Sequence, residues 1–94
     1  MKLIERIESR ERCAEAGWFA YDFILDQKMD REFIIKLRPF GSFVFLEMLA
    51  KPFFKVENDH IMIKGILGDD FFRMAVHKDY TEELMKMEEF INGI

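Results

Sequence analysis

Residues 52–77 carry the pattern of two consecutive β-hairpins, and that pattern ties the chain to an antiparallel sheet. Asn58-Asp59 and Gly68-Asp69 are each the kind of two-residue loop that reverses a strand. With those pairs at the turn centres, Pro52, Phe54 and Val56 face Gly65, Ile63 and Ile61. These in turn face Phe72, Met74 and Val76. Successive side chains of a strand alternate between faces, so the long apolar residues of these rows share one face. Gly65 opposite Phe72 has the look of an aromatic ring covering a strand glycine. The same register lines up Glu57, His60 and His77 across three strands on the opposite face.

The flanking segments supply helices and further strands. In residues 2–27, Ile4, Ile7, Ala14, Gly17, Trp18, Tyr21, Ile24 and Leu25 recur at three and four, which predicts an N-terminal helix. Gly17 offers an alternative, a helix ending there with 18–25 as a strand, because glycine is a poor helix interior residue and a good terminator. Phe33, Ile35 and Leu37 alternate with Ile34, Lys36 and Arg38, the period of a strand. Pro39-Phe40-Gly41 is a turn, and 42–51 is read as a strand on Phe43-Val44-Phe45. The last segment is a helix. Asp79 and Glu82 have capping-box spacing, Tyr80, Leu84, Met87, Ile91 and Ile94 form its stripe, and Gly93 is placed to end it. The expected fold is α+β, one domain spanning 1–94. Its antiparallel sheet has four to five strands, with an N-terminal and a C-terminal helix packed on one face.

Composition narrows the function. Ninety-four residues make one domain. Its net charge of −4 lacks the basic footprint that draws a protein to phosphate, so nucleic acid and anionic membrane surfaces are not expected partners. The longest uncharged apolar stretches, 18–21 and 43–46, fall far short of the ~20 residues of a membrane span. One cysteine, Cys13, cannot form an internal disulfide, which fits a reducing compartment, and a cytoplasmic location is expected. Cys13 itself reads as a small buried hydrophobe, since no base lies in its segment. Eleven phenylalanines, each able to bury on the order of 150 Å² or more, exceed what one small core readily hides.

Three groups of residues could carry function. Glu57, His60 and His77 in one cross-strand row could converge on a divalent metal ion, two imidazoles and a carboxylate being a known ligand set, or could move a proton. Lys64 opposite Arg73 sets like charges together, which an acidic ligand or partner would relieve. Phe53, Met62, Ile66 and Phe71 place apolar groups on the face that also carries those charges, the signature of an interaction surface. No Gly-rich phosphate loop, catalytic triad motif or cysteine-rich metal spacing is present. The sequence therefore reads as a small non-catalytic interaction module rather than an enzyme. It is expected to need no cofactor and to act as a homodimer or as an accessory subunit of a larger protein assembly. The alternative is a metal- or small-anion-binding protein using the histidine row.

Overall fold

The computed structural model describes residues 1–9 and 16–94. Six strands form one antiparallel sheet: β1 (Leu3–Glu8), β2 (Trp18–Leu25), β3 (Ser42–Leu46), β4 (Phe53–Glu57), β5 (Ile61–Ile66) and β6 (Phe71–His77). Their order across the sheet is β1-β2-β6-β5-β4-β3. A short helix, α1 (Arg31–Ile35), joins β2 to β3, and α2 (Glu82–Asn92) closes the chain. The fold is α+β as expected, with six strands rather than four or five.

The expected N-terminal helix is replaced by β1 and β2. β2 is an inner strand with apolar residues on both faces: Tyr21, Phe23 and Leu25 toward the helices, Trp18, Ala20 and Ile24 away from them. A strand covered on both sides loses its period of two. Its apolar run then merges with Ile4 and Ile7 of β1 into a chance spacing of three and four. Gly17, with φ 85°, turns the chain into β2, so the alternative strand at 18–25 is the one that forms. Cys13 lies outside the described residues.

The expected strand at 33–37 is α1. Asp30 caps it, Oδ1 accepting from the Phe33 N–H at 2.8 Å, which satisfies one of the orphan donors of a first turn. Phe33, Ile34 and Leu37 are buried together, a helical stripe that mimics alternation when only five residues are read. The strand expected over 42–51 forms in its first half only. α2 spans nearly the expected residues, but Asp79 does not cap it. A 3-10 turn at Lys78–Tyr80 precedes it instead.

The register of β5 on β6 is the expected one, with Gly65 opposite Phe72, Ile63 opposite Met74 and Ile61 opposite Val76. The register of β4 on β5 differs by two residues: Phe54 faces Gly65, Val56 faces Ile63 and Glu57 faces Met62. Asn58 causes the shift. Its Oδ1 accepts from the N–H groups of His60 at 2.7 Å and Ile61 at 3.1 Å, an Asx turn that makes Asp59 and His60 the turn centre. Among the described residues only glycines have positive φ, so the Asn58-Asp59 loop that would need it is not used. A slip of two keeps every side chain on its face. The Phe54 ring therefore covers Gly65, where an added Cβ would lie 2.8 Å from the ring edge.

One face of the sheet holds the core. Phe23, Leu25, Phe54, Val56, Ile61, Ile63, Phe72, Met74 and Val76 pack with Phe33, Ile34 and Leu37 around α1 and Leu84, Met87 and Ile91 of α2. Phe23 stacks on Phe72 with ring centroids 5.1 Å apart. Arg6 of β1 reaches Glu88 of α2 at 3.2 Å and lies over the Tyr21 ring. Asn92 Oδ1 accepts from the Leu3 N–H at 3.0 Å. These contacts bind the last helix to the first strand.

Candidate functional site

The face of the sheet turned away from the helices carries two contrasting rows. Reading across β2, β6, β5, β4 and β3, one row is Ile24, Phe71, Ile66, Phe53 and Leu46. Ile66 meets Phe71 one step along the β5–β6 register beyond Gly65 and Phe72. Neighbouring strands lie ~4.8 Å apart, so this row is a continuous apolar band five strands wide. Phe71 and Leu46 are each 40% exposed, and Ile24, Ile66 and Phe53 are half-buried.

The adjoining row is charged: Asp22, Arg73, Lys64 and Lys55 on β2, β6, β5 and β4, with Ile7 and Val44 at its two ends. Lys64 stands opposite Arg73, as the sequence suggests. Asp22, however, is Arg73's other cross-strand neighbour, so an acid belongs to the row itself. Lys55 adds a third cation to it and pairs with Glu57, two residues along the same strand, at 3.2 Å. Arg73 is only 6% exposed and Asp22 9%. Beyond this row come Ala20, Ala75, Met62 and Glu57, so Met62 lies on the same face as the apolar band but four residues along the strand from it.

The expected cross-strand row of Glu57, His60 and His77 does not form. The two-residue slip puts Glu57 opposite Met62, while His60 sits in the Asx turn. His60 and His77 do stay neighbours, because the His77 N–H donates to the His60 carbonyl at 3.0 Å. Both rings instead join a run of aromatics at this end of the sheet. His60 stacks on Tyr80 with centroids 3.6 Å apart, Tyr80 tilts against His77, and Trp18 meets His77 edge-on at 5.6 Å. His77 Nδ1 accepts from the Asp79 N–H at 3.2 Å, which fixes the ring and starts the 3-10 turn. Among the described residues no group of three His, Cys, Asp or Glu side chains could hold a metal ion.

Of the residues singled out by sequence, Phe53, Ile66 and Phe71 come together, and Lys64 meets Arg73. Ile24 and Leu46, which extend the band at both ends, were not foreseen. Only the pairing of β2 with β6 and of β3 with β4 reveals them, and no local signal marks either. No protein-family model, curated protein or solved structure matches the chain. Among the described residues no helix is long and apolar enough to cross a membrane.

Proposed function

We propose that the chain is a non-catalytic assembly module whose helix-free sheet face receives the same face of a second copy. The observation that carries this reading is the band of Ile24, Phe71, Ile66, Phe53 and Leu46, apolar over five adjacent strands, with Phe71 and Leu46 exposed and the rest half-buried. A band of that width on a small protein is a contact surface rather than a scatter of single exposed residues. The size fits. Six strands at ~4.8 Å spacing, each about 20 Å long, give a face of roughly 500 Å² in projection. Side-chain relief raises that toward the ~800 Å² per partner of a standard interface. A two-fold face-to-face contact is isologous, presenting the same band from both copies. A cytoplasmic setting belongs to the same reading.

Phe71 is the residue to test, being large, exposed and flanked by band residues on both sides. Phe71→Glu is expected to lower the mass found by light scattering or native mass spectrometry and to leave the far-ultraviolet circular dichroism of the folded chain intact. A carboxylate in the apolar band must shed its water when the two faces meet, a cost that the cations of the adjoining row offset only in part. An unchanged mass would remove this face from consideration.

A further inference from the structure

The two edges of the sheet are built differently. An edge strand presents unpaired backbone groups that can template another strand, and proteins blunt such edges with charges, prolines or bulges. β1 uses two of these devices: Glu5, Arg6 and Glu8 are charged, and its register slips between Leu3 and Glu5. β3 uses none. Its sequence, Ser42-Phe43-Val44-Phe45-Leu46, holds no charge and no proline, and it pairs with β4 in unbroken register. Among the described residues no strand lies beyond it. Val44 is 47% exposed, and the turn that follows presents Met48, 89% exposed, and Leu49. The exposed large hydrophobics are thus densest in the few residues at this one edge.

We infer that β3 pairs antiparallel with β3 of a second copy, joining two sheets edge to edge into one of twelve strands. The strand is its own complement. A two-fold axis through Val44 sets Val44 against Val44 of the second copy and Phe43 against Phe45, the aromatic and β-branched pairs that antiparallel strands favour. No like charges meet on the paired strands. Of the cations beside β3, Arg38 lies over the Phe43 ring, and Lys55, one strand inward in each copy, is matched by Glu57. An axis perpendicular to the sheet leaves both helix layers on one side and both apolar bands on the other. If the face contact proposed above also forms, the two contacts close into four copies, two twelve-stranded sheets packed face to face with helices outermost. That closure rests on the face reading; the edge pairing does not.

Directly opposed residues of antiparallel strands have Cα atoms ~4.5–5.5 Å apart, within the span of a disulfide. The test is a chain carrying Cys13→Ser and Val44→Cys, oxidised with diamide at low micromolar concentration and followed on non-reducing gels. Most of it is expected to become a single disulfide-linked dimer. Ile4→Cys in the same background, on the guarded edge and 63% exposed, is expected to link at least ~10-fold more slowly, because only a held pair of thiols has a high effective concentration. Failure of Val44→Cys to link, or linkage no faster than at Ile4→Cys, would overturn the pairing. Adding Phe71→Glu separates the two readings. Linkage that persists while the assembly mass falls supports both contacts. Linkage that persists with the mass unmoved keeps the edge and removes the face, and linkage lost with Phe71→Glu overturns the edge as an independent contact.

Discussion

Gly41 seats β3 at the sheet edge, and replacing it with alanine tests how tightly that edge is fixed. A Cβ at residue 41 would lie 2.2 Å from the Glu57 carbonyl oxygen and 2.6 Å from its carbon. Both are backbone atoms, so no side chain can turn aside. Ordinary contact needs more than 3 Å, and β3 must therefore move from the end of β4 by about 1 Å. The Asn58 Nδ2 donor bonds the Phe40 carbonyl at 2.7 Å across this junction, and Ser42 pairs with Glu57 beside it. Overpacking of this kind costs ~1–3 kcal/mol, and each hydrogen bond lost adds ~1 kcal/mol. Gly41→Ala should thus destabilise by about 3–4 kcal/mol when the terms are combined.

Gly68→Ala is the control. Nothing lies within 4 Å of its added Cβ, and only the φ of 91° opposes it, a strain of ~1–2 kcal/mol. Urea unfolding at fixed protein concentration, read by Trp18 fluorescence and by circular dichroism, measures both. In thermal unfolding, ~4–8 °C per kcal/mol for a domain this size separates the variants widely. A Gly41→Ala protein within about 1 kcal/mol of the parent, or less damaged than Gly68→Ala, would refute the geometry of this junction.

Further expectations follow from packing and capping. Met87, fully buried between α2 and the sheet, should lose ~2–5 kcal/mol as Met87→Ala. Met85→Ala, on the exposed side of the same helix, should change stability by less than ~0.5 kcal/mol; equal losses in urea titration would mean the helix buries another face. Asp30→Ala should cost ~1 kcal/mol through the lost cap of α1. Asp30→Asn, still able to accept from the Phe33 N–H, should restore most of it, and failure of that rescue would deny the capping role.

How much of this was readable in the sequence depended on what each segment packs against. The β5–β6 hairpin was legible to the residue, because one face is buried and a register slip of one would turn Ile61, Ile63, Phe72 and Met74 outward. The β4–β5 hairpin was legible in its faces and not in its partners. A slip of two leaves the apolar pattern unchanged, and only the Asn58 side chain decides between the two registers. That slip dissolved the Glu57, His60, His77 row. β2 was hidden by being inside the sheet, where Trp18, Ile24 and Phe23 are all wanted and no alternation survives. The apolar band was half visible: Phe53, Ile66 and Phe71 follow from the double hairpin, whereas Ile24 and Leu46 join it through pairings that local sequence does not encode.

The strand order has a consequence for synthesis. β2 has β1 on one side and β6 on the other, so its second edge is left open until about 50 further residues have been made. At ~5–20 residues per second, that is an interval of several seconds. During it a nascent segment reading Trp18-Phe19-Ala20-Tyr21-Asp22-Phe23-Ile24-Leu25 has only the short β1 hairpin to shelter it. Asp22, an acid in the middle of that apolar strand and destined for a place opposite Arg73, is then its one built-in guard against pairing with another unfinished chain.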